Sequence, residues 1–313
     1  MEPALFRADL AEGPAVVRPV WARCADDVQV RVVVWPVDEA VGTVLLLPGR
    51  TEYAEKYGRV ARRLTEQGLN VATVDWRGQG LSDRLADDRL LGHVLRFTDY
   101  QKDIAALCGV IDAMALPGPR FLLAHSMGGS IGLRALSEGL PVERAVFTAP
   151  MWGIAIPGSQ RALAAVLPTL ARLSGQGERS LPGTRPVIYD AETGFERNPL
   201  TTDPEHFAWF ARQLQAEDQF ALGPPSVHWL GEALAECRKL TDMPRPDLPV
   251  LTFVGTDETV VSVPVIEAFH ADWPSAELRV VDGARHEIMM ETPALRDRFF
   301  AEALAFFGIE NAT

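Results

Sequence analysis

The segment Leu122-Leu123-Ala124-His125-Ser126-Met127-Gly128-Gly129 places a hydroxyl where a short apolar run gives way to small residues. A serine on a sharp strand-to-helix turn stands clear of its sheet and can attack a carbonyl carbon. Such a turn strains the nucleophile and demands small residues two before and two after it. Gly128 and Gly129 meet that demand, and Ala124, where a glycine is usual, carries the next smallest side chain. An unaided serine is a weak nucleophile; it needs a base, and the base needs an acid to orient it. For a nucleophile on such a turn, acid and base follow later in the chain, in that order. Of the six histidines, His125 adjoins Ser126 and points the wrong way, and His93 precedes the turn. His206 and His228 lie in a long stretch without strands, and His270 falls within a predicted helix. His286 remains, in Asp282-Gly283-Ala284-Arg285-His286-Glu287, just past the last predicted strand. The acid is expected at Asp257, where Leu251-Thr252-Phe253-Val254 runs into Gly255-Thr256, with the adjacent Glu258 as alternate. Asp272 and Asp282 fit less well, because neither follows a strand directly into a glycine-bearing loop.

Acyl transfer also needs two backbone N–H groups aimed at the oxyanion. The residue after the nucleophile, Met127, supplies one. Arg50, in Pro48-Gly49-Arg50 after an early apolar run, is the expected source of the other.

The elements that must position these groups follow from periodicity. Residues 28–37 are β-branched and read as a strand, with 16–22 as its hairpin partner. Residues 43–47 are a continuous apolar run, suited to a strand covered on both faces, and 70–74, 121–123, 144–148, 250–254 and 277–281 read as further strands. Between them, 57–67, 98–114, 127–137, 263–270 and 293–307 read as helices. Strands alternating with helices imply a mostly parallel sheet with right-handed crossovers and helices on both faces. The alternation stops over 151–242, where helical patterns, prolines and glycines replace buried strands. The expected organisation is an α/β core, 1–150 plus 243–313, with a helical insertion, 151–242, lying over the site as a cap. Its many aromatic and aliphatic residues mostly read as its own core. Some must still face a pocket, and Trp152, Leu167 and Leu170 are the candidates for substrate contact.

The bulk composition narrows the function. With 42 acidic against 30 basic residues, the net charge is −12, which argues against nucleic acid and against attraction to an anionic bilayer. A lipid ester met through an apolar patch, with at most transient contact at a membrane surface, stays open. Three scattered cysteines form no C-x-x-C pair and read as free thiols in a reducing compartment. The first residues lack a basic region followed by an apolar one, so no signal peptide is expected and the protein is placed in the cytoplasm. No H-E-x-x-H or other metal-ligand spacing appears, and neither metal nor cofactor is expected. Asp75 to Asp83 contains G-x-G but no G-x-x-x-x-G-K-[ST], and reads as a structural loop rather than a phosphate cradle.

Taken together, these motifs resemble the bacterial lysophospholipase and monoacylglycerol lipase branch of the α/β-hydrolases. Pro48-Gly49-Arg50-Thr51-Glu52-Tyr53 with Glu55-Lys56-Tyr57 is similar to that family's oxyanion loop. Asp75-Trp76-Arg77-Gly78-Gln79-Gly80-Leu81-Ser82-Asp83 is similar to its D-x-R-G-x-G-x-S loop, and Asn198-Pro199-Leu200-Thr201-Thr202-Asp203-Pro204 to part of its cap. The likeness spans about residues 25–307. It implies an α/β-hydrolase fold and a serine carboxylic ester hydrolase acting on a monoacyl lipid through Ser126, Asp257 and His286. Two departures are Pro48, where monoacylglycerol lipases usually carry histidine, and Ala124 at the turn. The first shifts the implied substrate toward lysophospholipids, whose phosphate the Arg50 side chain could read. A small-ester carboxylesterase, an amide or peptide hydrolase on the same three residues, and a non-catalytic binding protein of this fold remain alternatives.

Overall fold

Apolar runs too short for helices become the strands of a sheet covered on both faces. The computed structural model describes residues 1–181 and 194–309. Its strands are β1 (Glu2–Pro3), β2 (Arg18–Arg23), β3 (Gln29–Trp35), β4 (Gly42–Leu47), β5 (Leu69–Asp75), β6 (Arg120–His125), β7 (Arg144–Thr148), β8 (Val250–Gly255) and β9 (Ala276–Val281). Its helices are α1 (Ala8–Ala11), α2 (Gly58–Thr65), α3 (Tyr100–Ala113), α4 (Met127–Ser137), α5 (Arg161–Leu173), α6 (Pro204–Ala216), α7 (Val227–Asp242), α8 (Val263–Ala271) and α9 (Pro293–Phe307). The strands lie in the order β1-β2-β3-β5-β4-β6-β7-β8-β9. Every pairing from β5 to β9 is parallel. The expected hairpin is present, with Val20 opposite Val32, and its inner strand β3 runs antiparallel to β5. The two-residue β1 adds an edge that no apolar run announces.

The pleat sends alternate side chains of β4 to opposite faces. Leu45 and Leu47 join the core under α3, α4 and α8, while Val44 and Leu46 join the core under α2 and α9. β4 lies between β5 and β6, and the chain crosses from one side of it to the other after β5. The crevice at the carboxyl ends of β4 and β6 is therefore a topological switch point, where open α/β sheets bind ligands. Leu47 pairs with Ala124, so the chain leaves β4 at Pro48 and β6 at Ser126 side by side. The loops after β8 and β9 leave the same edge of the sheet.

Between β7 and β8, the described residues contribute α5, α6 and α7 and no strand of the sheet. Asp203 caps α6 through the N–H groups of Glu205 and His206, with Pro204 at the first helical position. Leu200, Phe207, Trp209 and Phe210 form a separate apolar cluster. α7 is the seam: Ala233 and Leu240 join the main core, and Glu236 pairs with Arg134 of α4 at 2.6 Å. α5 passes through Pro168 without ending there. Pro168 fits because α7 presents Gly231, where a β-carbon would lie 2.6 Å from the proline ring.

Candidate active site

The strained turn expected at Ser126 is present: its φ is 49° and ψ −116°, between the end of β6 and the first residue of α4. Gly128 is required, because a β-carbon there would sit 2.4 Å from the carbonyl oxygen of Leu47. Ala124 is accommodated in the sheet with no exposed surface. The Ser126 N–H donates to the Thr148 carbonyl at 3.1 Å, and its own carbonyl accepts from Gly129 and Met151 at 2.8 Å each. Backbone bonds on both sides thus hold the turn that sterics disfavour.

Ser126 Oγ lies 2.9 Å from His286 Nε2, and His286 Nδ1 lies 2.6 Å from Glu258 Oε2. The structure thus brings Ser126 and His286 together, with Glu258 rather than Asp257 beside the imidazole. Asp257 is exposed, and among the described residues its carboxylate meets only the Thr256 hydroxyl, at 3.4 Å. The reason is the turn after β8. Asp257 N–H is drawn onto the carbonyl of Ala284, and the next residue then swings inward. Glu258 Oε1 accepts from the N–H groups of Val260 and Val261, which leaves Oε2 for His286. Burial by itself would raise the Glu258 carboxyl, but the His286 hydrogen bond and charge outweigh it. With the two backbone donors, they hold it below its ordinary value. The signal in the sequence was only that two acids stand side by side.

Arg50 and Met127 follow the ends of the adjoining strands β4 and β6. Met127 opens α4, so its N–H has no acceptor within the helix. The loop bearing Arg50 is braced from below. Trp76 Nε1 donates to the Pro48 carbonyl at 2.9 Å, and Gln79 Oε1 accepts the Thr51 N–H at 2.6 Å while its Nε2 touches Met127 Sδ at 3.8 Å. Thr51 itself has φ of 66°, a conformation the Gln79 contact helps to hold. Gln79 thus touches both the Arg50 loop and Met127, a role that its place between Gly78 and Gly80 does not announce. The rest of the 75–83 loop is structural: Asp75 takes the Ala54 and Leu81 N–H groups and pairs with Arg31, and Arg77 pairs with Asp103 and Asp26.

A cavity of about 370 Å³ opens above Ser126 and His286. Its walls are mostly apolar and include Met151, Leu200, Phe210, Trp229 and Val260, with Arg50 on one side. The Arg50 guanidinium donates to the Gly223 carbonyl at 2.8 Å and lies 5.2 Å from the Trp229 ring. A second cavity of about 240 Å³ shares Ile154, Leu181 and Leu230 with the first and adds Leu163 and Leu167 of α5. Leu167 is thus beside the site, one step removed. Leu170 is not: it faces solvent with Val166 and Leu173, because only one side of α5 turns toward the cavity. Trp152 is corrected as well. It lies just beyond β7, wholly buried beneath the site among Phe147, Phe269 and Trp273, and donates to the Gly129 carbonyl at 3.2 Å. Trp229, on the first turn of α7, is the tryptophan that lines the cavity.

His125 does not point away from the site: its ring lines the cavity and packs 4.8 Å from that of His286, although its Nδ1 lies 3.0 Å from Thr148 Oγ1 and it has no hydrogen bond to Ser126. Burial, with the nearby charges of His286 and Lys56, pushes it down to about 4, so it is neutral near pH 7 despite Glu52 3.9 Å away. Among the described residues, Glu52, His125 and Glu287 are the group spaced to hold a metal, with ligand atoms within 4.8 Å of one another. The Lys56 ammonium is bonded to both carboxylates, so a cation there would have to displace it.

The family model described as Serine aminopeptidase, S33 matches residues 38–293. Lysophospholipase L2 of Escherichia coli (strain K12) is 33% identical over 306 residues, covering 92% of this chain and 86% of its own. The monoglyceride lipase of Saccharomyces cerevisiae is 25% identical over 286 residues, covering 85% of each. The solved structure of a soluble variant of that yeast enzyme with a substrate analogue superposes with a TM-score of 0.68 at 23% identity, covering 94% of this chain and 97% of that one. That last likeness bears on the fold, an α/β-hydrolase, as expected. The chain belongs to the serine aminopeptidase S33 family of α/β-hydrolases and, within it, to the serine ester hydrolases that resemble lysophospholipases and monoacylglycerol lipases.

Proposed function

We propose that the protein hydrolyses the carboxylic ester of a monoacyl lipid, with Ser126 as nucleophile, His286 as base and Glu258 as the acid that orients it. The observation that carries this reading is the buried relay, 2.9 Å from Ser126 to His286 and 2.6 Å from His286 to Glu258, on the floor of an apolar cavity. Glu258 holds the proton on Nδ1, which leaves Nε2 free to take the Ser126 proton as Oγ attacks the ester carbonyl. The N–H groups of Met127 and Arg50 receive the oxyanion, the first reinforced by the positive end of α4. The imidazolium then returns its proton to the departing alcohol. Water, deprotonated by His286, frees the fatty acid from Ser126 in the second half.

The acyl chain lies along the apolar wall and continues into the second cavity under α5, with residues 151–242 as the cap over the 1–150 and 243–313 core. Arg50, at the cavity wall, suits the phosphate of a lysophospholipid, as the name of the Escherichia coli relative suggests. The exposed apolar face of α5 lies in a stretch, 144–177, that contains no acidic residue, which supports brief contact with a lipid surface despite the overall charge. Free thiols at Cys24, Cys108 and Cys237 support a cytoplasmic setting, and no described helix is long and apolar enough to cross a membrane.

The test is Ser126→Ala against a panel of lysophospholipid, monoacylglycerol, acetate ester and peptide substrates, with fluorophosphonate labelling of the wild type. The variant should stay folded, lose the label and lose ester turnover by several orders of magnitude. Retention of turnover within about tenfold would falsify the nucleophile assignment. Faster cleavage of the peptide than of either lipid would move the function to amide hydrolysis.

A further inference from the structure

Two buried carboxylates share one ammonium beside the site, and the hydrolytic steps use none of the three. Lys56 Nζ is 2.8 Å from Glu52 Oε1 and 2.5 Å from Glu287 Oε1, and all three side chains are buried. The partners belong to different loops. Glu52 lies two residues past Arg50, and its second oxygen accepts the Gly49 N–H and, at 2.5 Å, the Tyr57 hydroxyl. Glu287 directly follows His286, and its N–H donates to the Leu200 carbonyl at 2.7 Å. The Lys56 ammonium also lies 5.0 Å from the ring of Phe210, on the cap helix α6 that walls the cavity.

We infer that the bridge from Glu52 through Lys56 to Glu287 is a positioning device, which holds the oxyanion loop and the His286 loop in register while charge develops on the substrate. The inference rests on the proposed roles of Arg50 N–H and His286. Stability alone is a poor account of the bridge. Desolvating three charges costs about as much as their attraction returns, and a well-packed apolar trio often does as well or better. An apolar trio could not, however, grip the Gly49 N–H. An ionised carboxylate does so strongly, and it fixes the Pro48–Gly49 peptide, one peptide ahead of the one that carries the Arg50 N–H. Lys56 keeps Glu52 ionised. Without it, two carboxylates whose oxygens lie within 4.8 Å of each other and of His125 would share a proton or part. Either response loosens one of the two loops.

The test uses Lys56→Met, Lys56→Arg and the double variant Lys56→Met/Glu287→Gln in the full chain. Three readouts are needed: kcat and KM on a p-nitrophenyl ester, the inhibition constant of an alkyl boronic acid, and thermal stability. The boronic acid forms a tetrahedral adduct on serine and so reports the oxyanion site. Complete loss of an oxyanion donor costs roughly 100- to 1000-fold in kcat, so a loosened one should cost about 10- to 100-fold. Lys56→Met should show that loss in kcat with KM nearly unchanged, and the boronate should weaken by a similar factor. Lys56→Arg should recover most of both. The double variant restores the wild-type net charge of the cluster, with Glu52 left as its lone carboxylate, so it should regain part of the lost thermal stability yet remain slow. It carries the same comparison if Lys56→Met fails to fold. A double variant that regains wild-type kcat and boronate affinity would reduce the bridge to charge balance. Unchanged kcat in a less stable Lys56→Met would have the same force. Continued turnover by Ser126→Ala is a separate result, since it removes the hydrolytic reading itself whatever the Lys56 series shows.

Discussion

Glu258→Gln should be nearly inactive while Asp257→Asn is nearly silent. The size of the first effect follows from how the carboxylate is held. Glu258 Oε1 is committed to the N–H groups of Val260 and Val261, and Oε2 to His286 Nδ1 at 2.6 Å. A glutamine of the same shape must keep its carbonyl on the two backbone donors, because its amide nitrogen cannot accept them. The NH₂ group is then turned toward His286. Nδ1 is forced to accept, the imidazole proton moves to Nε2, and the base can no longer take the Ser126 proton. The corresponding acid-to-amide change in a serine protease lowers kcat by about 10⁴, or roughly 5.5 kcal/mol of transition-state stabilisation. A loss of about 10³ to 10⁴ is expected here. Asp257 is exposed and, among the described residues, its carboxylate meets only Thr256, so Asp257→Asn should stay within about twofold. Steady-state kcat/KM on a soluble p-nitrophenyl ester measures both, with circular dichroism and a thermal melt to establish that each variant is folded. A folded Glu258→Gln within tenfold of wild type would refute the tautomer argument, and an equally crippled Asp257→Asn would show that the turn after β8 adopts another arrangement in solution.

Acid stability should depend on His206. Both its ring nitrogens are buried without a hydrogen-bond partner among the described residues, and burial, aided by the charges of Lys56, Arg59 and Arg296, pushes it down to about 2. A depressed histidine means that, below about pH 6.5, the unfolded chain binds a proton that the native state refuses, so stability falls with pH by about 1.4 kcal/mol per unit. Between pH 7.5 and 5.0, His206→Leu should therefore lose about 2 kcal/mol less than wild type in urea unfolding; parallel pH profiles for the two proteins would contradict this. On α5, Leu167→Asp should lower kcat/KM for a long-chain ester about tenfold more than for an acetate ester, because a charge would enter the second cavity. Leu170→Asp, on the solvent side of α5, should leave both dispersed substrates unaffected. Equal losses on the two esters with Leu167→Asp would mean that this residue only holds the cap together.

What could be read from the sequence is set by range. The strands β3 to β9 are announced by local runs such as Thr43 to Leu47, whose length and flanking Pro48-Gly49 mark a strand buried on both faces. Ser126 is announced by Ala124, Gly128 and Gly129, because the constraint on its turn is satisfied by immediate neighbours. His286 could be found by its place after the last strand. The choice between Asp257 and Glu258 is not local. It depends on the Ala284 carbonyl, which comes from the loop after β9 and pulls the Asp257 N–H over. Trp152 and Trp229 are alike in composition, and only the packing of α7 against α4 decides which of them meets the cavity. Lys56 and Glu287 stand 231 residues apart, so their pairing has no trace in any window of sequence. The groups that would move protons are thus placed by turns that nearby residues encode. The groups that hold those turns against one another pair across the whole chain, and they exist as a unit only once β4, β6, β7, β8 and β9 lie side by side.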